Sequence, residues 1–230
     1  MKINIDLKLL QSTSDVDYTT LGIKPVKGWN LTALGWRFDS LDSIEIGRGY
    51  ASPKEYFDSI GLQGVIVVYI TNLVTYTKSL EGLPKRCLHL KVVNYAGEHF
   101  ECDTLLGKKG EDSAYLTVQD CHNLVNFVKA KNFVKAKELN VTIDNCHSLA
   151  SIEGLPNILS NVSITSCNGI KGLSDFEIET FTVKSCANIV GVIFRGNLKV
   201  LRTLVLDIKT TNDVRTAIKQ HVKVNSIITQ

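Results

Sequence analysis

A frame of apolar residues around one cysteine occurs four times between residues 116 and 192. Each copy reads apolar-x-apolar-x-x-Cys-x-x-apolar-x-x-apolar, and successive copies begin 25, 21 and 19 residues apart. A frame that recurs at this interval is typical of a solenoid, in which each short unit buries its apolar face only against neighbouring units. The copies comprise Leu116, Val118, Cys121, Leu124 and Phe127; Val141, Ile143, Cys146, Leu149 and Ile152; Val162, Ile164, Cys167, Ile170 and Leu173; and Phe181, Val183, Cys186, Ile189 and Val192.

The residue types within the frame predict a strand followed by a tight turn. Two apolar residues separated by one position lie on the same face of a strand, and Val, Ile, Thr and Phe favour strands. The cysteine is expected to point inward at a turn too narrow for a large side chain, where its thiol donates weakly to a backbone carbonyl. The two final apolar residues are expected to cover the core on the return path.

Weaker copies of the frame extend the prediction in both directions. Leu204 and Leu206 begin a unit 23 residues after Phe181, without the cysteine. The chain is therefore predicted to form a β-rich, α+β solenoid, a parallel-sheet stack of about seven rungs with capped ends. The upstream candidate strands begin with the pairs Leu88 and Leu90, Ile66 and Val68, and Ile44 and Ile46.

The frame resembles the leucine-rich repeat, Leu-x-x-Leu-x-Leu-x-x-Asn/Cys-x-Leu, from its second leucine onward. Leu159 and Ile178 occupy the first-leucine position of two copies, whereas Ser113 and Glu138 occupy it in the other two. The last leucine falls one position late, and the units vary from 19 to 28 residues. The resemblance covers roughly residues 60 to 210 and implies an irregular leucine-rich-repeat-like solenoid.

A second repeat, SLEGLPKR at residues 79–86 and SIEGLPNI at residues 151–158, fits the return loop of that family. Its glycine permits a turn and its proline fixes φ. The two segments are therefore predicted to form equivalent loops in two different units.

The ends of the chain are predicted to cap the stack. Residues 1–60 contain both tryptophans, and aromatic side chains cover an exposed terminal rung well. A short helix is predicted after Ser52 as N-cap, with Glu55 at the capping-box position, and a second helix is predicted after Asn212. The predicted organisation is an N-terminal cap region over 1–60, the solenoid over 61–210, and a C-terminal capping helix and tail over 211–230.

Composition and cysteine placement predict a cytoplasmic protein without a membrane segment. The 230 residues are 21% charged with a net charge of +3, too mild to indicate a nucleic-acid or membrane partner. The N-terminus lacks the apolar region of a signal peptide. Four of six cysteines share one frame position, which favours buried thiols in a reducing compartment. The short rung spacing leaves a disulfide between Cys146 and Cys167 as an alternative.

No metal site is predicted, although two cysteine–histidine pairs occupy equivalent frame positions. Cys121-His122 and Cys146-His147 would lie on adjacent rungs, about 4.8 Å apart. A Cys2His2 zinc site would need all four side chains on one side. The frame sends the cysteines inward and the histidines outward, so neither metal nor another cofactor is expected.

No catalytic centre is predicted either. Cys87, His89, His99 and Cys102 lie near one another in the sequence, but their spacing matches no nucleophile–base arrangement. The sequence also lacks a phosphate-binding glycine loop and a metalloprotease motif. The protein is therefore not expected to be an enzyme.

The outward positions of the predicted strands are the candidate binding surface. The later rungs present mostly Thr, Ser and Asn, for example in a column of Thr117, Thr142, Ser163, Thr182 and Val205. Aromatic, apolar and charged outward residues combine only toward the N-terminal rungs, and such residues make better binding hot spots. The main contact with a protein partner is therefore predicted at Val67, Tyr69, His89, Lys91 and Tyr115.

These observations are interpreted as a non-enzymatic protein-binding module, a small accessory or inhibitor protein of bacterial or phage origin. Two alternatives stay open. The lysine-rich stretch at residues 128–137 would suit a nucleic-acid-binding accessory protein. Unpaired strand edges at the solenoid ends would suit a structural protein that assembles through them.

Overall fold

The structure is a computed structural model with one large β-sheet. It describes residues 26–32, 35–62, 67–101, 104–107, 113–128, 138–173, 176–186, 191–193, 198–207, 212–222 and 224–229. Its elements are β1 (Asn30–Thr32), β2 (Gly35–Ile46), α1 (Pro53–Ser59), β3 (Val67–Thr75), β4 (Arg86–Val93), β5 (His99–Glu101), β6 (Leu105–Leu106), β7 (Ser113–Gln119), β8 (Asn126–Val128), β9 (Glu138–Asp144), β10 (Ile158–Thr165), β11 (Glu177–Lys184), β12 (Lys199–Leu206), α2 (Asn212–Val222) and β13 (Ser226–Thr229).

The chain winds as a parallel β-solenoid of about five turns. The main sheet has 11 strands in the order β1-β2-β3-β4-β7-β9-β10-β11-β12-β13, with β6 beside β4. Strands β5 and β8 pair separately on the return path. The predicted β-rich, parallel-sheet solenoid is confirmed, whereas the predicted number of seven rungs is not.

The repeated frame forms the core of the stack. The strand register aligns Leu116, Val141, Val162 and Phe181 in one buried column. Across the four copies every described frame residue is buried except Cys186, which is half-buried; Ile189 lies outside the described residues. The described residues three and six positions after the frame cysteines cover the core on the return path as predicted. Each unit thus buries its apolar face against the next one.

The inward residues of the upstream strands differ from the prediction. Leu116 aligns with Leu90, and Leu90 aligns with Leu73. The inward pair of β4 is therefore Leu90 and Val92, two positions later than predicted. The apolar-x-apolar pattern fits this strand twice, because residues 88, 90 and 92 are all apolar.

In β3 the inward pair is Leu73 and Thr75 instead of Ile66 and Val68, of which Ile66 lies outside the described residues. The buried Thr75 hydroxyl is 2.8 Å from that of Thr77, which donates to the Ser79 carbonyl. A polar residue thus fills an apolar frame position, so the sequence pattern predicted a strand here but assigned it the wrong inward pair. The Ile44 and Ile46 pair of β2 is buried as predicted.

The N-terminal end of the sheet is closed by a hairpin and an aromatic cluster. Strand β1 pairs antiparallel with β2, and the Trp29 ring lies 5.3 Å from that of Phe38 and 5.8 Å from that of Phe57. Helix α1 begins as predicted: the Ser52 hydroxyl accepts the Glu55 N–H, and the Glu55 carboxylate accepts the Ala51 N–H. These contacts hold α1 and β1 at the end of the stack.

The predicted C-terminal helix is present but does not end the stack. In α2, Ile218 and Val222 are buried against the core. The chain then continues into β13, which pairs in parallel with β12. Helix α2 is therefore the return path of the last turn, and β13 forms the C-terminal edge of the sheet.

Candidate functional site

Two columns of outward side chains run across the sheet, and we call the surface that they form the open face. The strand register confirms the alignment that the sequence predicted. The first column contains His89, Tyr115, Asn140, Asn161, Thr180, Thr203 and Ser226, and the second contains Lys91, Thr117, Thr142, Ser163, Thr182, Val205 and Ile228.

Three of the five predicted contact residues lie together on the open face. His89 aligns with Tyr115 on the neighbouring strand, and Lys91 follows two positions after His89. The His89 and Tyr115 rings meet edge to face with centroids 4.5 Å apart, and Tyr115 is 43% exposed. This aromatic pair beside a lysine offers apolar area, hydrogen-bonding groups and positive charge within one small surface.

The other two predicted contact residues do not lie on the open face. Val67 and Tyr69 are only 6% and 7% exposed. They pair with Trp36 and Arg37 of β2, where the register shifts, and the Arg37 guanidinium lies 5.3 Å from the Tyr69 ring. The sequence prediction took Ile66 and Val68 as the inward pair of β3, whereas alternation from the observed inward pair, Leu73 and Thr75, turns Val67 and Tyr69 away from the open face.

The electrostatics around His89 favour its neutral form. Burial lowers the pKa of His89 because the charged imidazolium loses solvation. Lys91 on the same strand therefore supplies the positive charge at this end of the two columns. The buried Cys87 thiol donates to the His89 carbonyl at 3.0 Å within the same strand.

The residues considered as a catalytic group are not brought together. Cys87 is buried, and His89 lies on the open face. His99 lies in β5 on the return path, with its Nδ1 2.8 Å from the Asn126 Oδ1. Cys102 lies outside the described residues. Within the described ranges, no group of three or more His, Cys, Asp or Glu side chains is arranged to hold a metal ion.

The two cysteine–histidine pairs divide between core and solvent as the frame predicted. Cys121 and Cys146 are buried, whereas His122 and His147 are exposed. The two imidazole rings stack at 5.5 Å with only 12° between their planes. This arrangement separates the thiols from the imidazoles, so they do not form a common four-ligand site.

The frame cysteines form a column of free thiols, so the alternative disulfide between Cys146 and Cys167 is not formed. A hydrogen bond between neighbours lowers the pKa of Cys121 and raises the pKa of Cys146 to about 12, while burial raises the pKa of Cys186. Each sulfur donates to a carbonyl two residues earlier. The acceptors are Gln119, Asp144, Thr165 and Lys184, at 3.2, 3.4, 3.2 and 3.2 Å respectively.

A ladder of left-handed residues precedes the thiols, and the sequence interpretation missed it. Asp120 and Asn145 each have positive φ, and their N–H groups donate at 3.0 Å to carbonyls of the following rung. The available signal was the residue type, since Asn and Asp tolerate this backbone conformation. The left-handed backbone conformation turns the chain sharply enough to bring the following cysteine inward. The ladder comprises Asn94, Asp120, Asn145, Ser166 and Ser185.

Burial of the thiol column predicts slow chemical modification. Under native conditions a thiol reagent should label Cys121, Cys146 and Cys167 slowly and the half-buried Cys186 faster. Labelling sites and rates are measured by peptide mass spectrometry, with the denatured protein as the fully reactive control. Rapid labelling of all four thiols in the folded protein would contradict the buried column.

The chain matches no protein-family model, and no curated protein or solved structure is significantly similar to it. Among the described helices, none has the length and apolar character needed to cross a bilayer.

Proposed function

We propose that this protein is a non-enzymatic protein-binding module whose partner docks on the open face around His89, Lys91 and Tyr115. The observation that carries the proposal is the exposed edge-to-face pair of His89 and Tyr115 beside Lys91. Tyrosine is among the residues most enriched at binding hot spots. The hydrogen-bonded strands fix the backbone beneath the three residues, and the ring contact orients His89 and Tyr115, which reduces the conformational entropy lost on binding.

We further infer that the solenoid is a leucine-rich-repeat-like module of a small accessory or inhibitor protein of bacterial or phage origin. The strand-plus-cysteine frame supports the first part of this inference. Solenoids of this kind present extended sheets to protein partners. The column of free, buried thiols supports action in a reducing compartment such as the cytoplasm.

Substitution of the central surface tests the proposal. A partner is first captured from host lysate and purified, and its affinity is then measured by isothermal titration calorimetry. The double variant Lys91→Glu/Tyr115→Ala should weaken binding at least about tenfold, because a truncated aromatic anchor typically costs about 2 kcal/mol or more. The matched controls Thr142→Ala and Thr182→Ala change small side chains on the same face and should have little effect.

Two outcomes would redirect the proposal. If the threonine variants weaken binding and the double variant does not, the contact lies on the later rungs. If instead the captured partner is a nucleic acid whose affinity falls steeply with salt, the lysine-rich stretch becomes the better candidate. Residues 129–137 of that stretch lie outside the described residues.

A further inference from the structure

Two exposed histidines stand side by side on adjacent rungs of the solenoid. His122 and His147 each follow a buried frame cysteine directly, and the register of β7 with β9 aligns the two rungs. Their rings stack at 5.5 Å with 12° between their planes. Neighbouring strands of a sheet lie about 4.8 Å apart, so the hydrogen-bonded backbone holds the two imidazoles within reach of each other.

The ring nitrogens of this pair are available for binding. Among the described residues, none forms a hydrogen bond or an ion pair with either ring. His99 differs, because its Nδ1 lies 2.8 Å from the Asn126 Oδ1. A neutral imidazole carries its proton on one nitrogen and a lone pair on the other. The His122 and His147 rings therefore offer one ligand atom each.

The charges beside the pair favour a cation. Asp120 and Asp144 lie on the same two rungs, two and three residues before the respective histidines. The Asp120 carboxylate accepts the Asn145 side-chain N–H at 2.6 Å, which holds it between the rungs. Within the described ranges, no Lys or Arg side chain forms a salt bridge with either aspartate. Their negative charge is thus left to attract a cation bound by the imidazoles.

We propose that His122 and His147 together bind one divalent late-transition-metal ion, of the class of Zn²⁺, Ni²⁺ and Cu²⁺. Neutral imidazole is a preferred protein ligand of these ions. Zn²⁺ lies about 2.0–2.1 Å from a ligating nitrogen, so two such nitrogens lie within about 4.2 Å of each other. Rings with centroids 5.5 Å apart reach this separation by tilting toward each other, and neither ring loses a hydrogen bond in doing so.

This site differs from the Cys2His2 arrangement considered for the sequence. The expectation of no metal rested on the need for thiols and imidazoles on one side, whereas a site of two imidazoles has no such need. The protein supplies two ligands only, and the described residues contain no group of three or more arranged to hold a metal ion. Both rings are exposed, so water or a group of another molecule occupies the remaining coordination positions.

Calorimetric titration of the tag-free full chain with Ni²⁺ tests the proposal without any partner protein. The wild type should bind one equivalent at this site. His122→Ala and His147→Ala should each weaken binding about tenfold or more, because loss of an outer-shell partner alone typically costs about 10- to 100-fold and loss of a ligand costs no less. The matched control His99→Ala removes another exposed imidazole and should leave the affinity unchanged. Circular dichroism melting verifies that all three variants fold.

Paramagnetic broadening in proton NMR spectra identifies the ligands directly. The chain has five histidines, and substoichiometric Ni²⁺ should first broaden the ring signals of two of them. These two signals should be the ones missing from the spectra of His122→Ala and His147→Ala. The proposal is overturned if the wild type binds Ni²⁺ no more tightly than these variants, or if His99→Ala weakens binding equally. It is also overturned if the signals of other histidines broaden first.

Discussion

Gly154→Ala is expected to destabilise the protein by about 3 kcal/mol or more, or to prevent folding. Gly154 has φ of +94°, a conformation that disfavours a side chain. A Cβ atom there would also collide with the backbone carbonyl oxygen of Phe127 on the neighbouring turn. Because Phe127 N–H donates to the Glu153 carbonyl at 3.2 Å, the two segments cannot separate without losing that bond. Urea unfolding measures the change.

Gly172→Ala is the matched control for this substitution. No atom lies within 4 Å of the position where its Cβ would be, and Gly172 has no positive φ. We expect its unfolding free energy to stay within about 1 kcal/mol of the wild type. An unfolding midpoint of Gly154→Ala equal to that of Gly172→Ala would show that the loop at 151–158 is not packed as described.

The same test applies to the equivalent loop at residues 79–86. Gly82 has φ of +81°, and its Cβ would lie 2.5 to 2.7 Å from atoms of Lys54. The Glu81 carbonyl accepts the Lys54 N–H at 2.9 Å, as Glu153 accepts that of Phe127. The two copies of the repeated segment therefore use one glycine-dependent turn against different neighbours.

Removal of residues 211–230 is expected to cause aggregation and a markedly lower melting temperature. This segment contains α2 and β13, and it covers the last turn with the buried side chains of Ile218, Val222 and Val224. Its loss would expose Leu204 and Leu206 of β12, both fully buried in the intact protein. The stability of a solenoid is the sum of its units and their interfaces, so an uncovered end frays first. Light scattering and thermal melting measure the effect.

Point substitutions in α2 measure how much its buried side chains stabilise the protein while the whole chain stays present. Ile218→Ala and Val222→Ala each remove a buried side chain and should cost about 2 kcal/mol or more. The controls Lys219→Ala and Gln220→Ala change exposed residues of the same helix and should have little effect. A truncated protein that stays monomeric and melts at the wild-type temperature would show that this segment does not stabilise the stack.

The repeated part of the fold was predictable from the sequence for a physical reason. In a solenoid each unit packs mainly on its neighbours, so the same positions turn inward in every copy. The frame therefore identified the buried column of Leu116, Val141, Val162 and Phe181, and it separated inward thiols from outward imidazoles. The two columns of outward residues on the open face followed from the alternation of faces along each strand.

The candidate site was predictable only in part. His89, Lys91 and Tyr115 lie on strands with regular alternation, and counting by twos placed them on the open face. The same counting failed for Tyr69, because it began from Ile66 and Val68 instead of the observed inward pair of β3, Leu73 and Thr75. Which alternating set of β3 faces the core is fixed by its pairing with β4, which is not encoded in the spacing of one segment.

The sequence alone determined the period of the solenoid, the inward residues of its regular units, and the helix that begins after Ser52. Those features depend on neighbours close in the chain or on a repeated spacing. Only the tertiary structure decided that Thr75 fills a core position through its bond with Thr77, and that β13 extends the sheet beyond α2. Both depend on which segments meet in space.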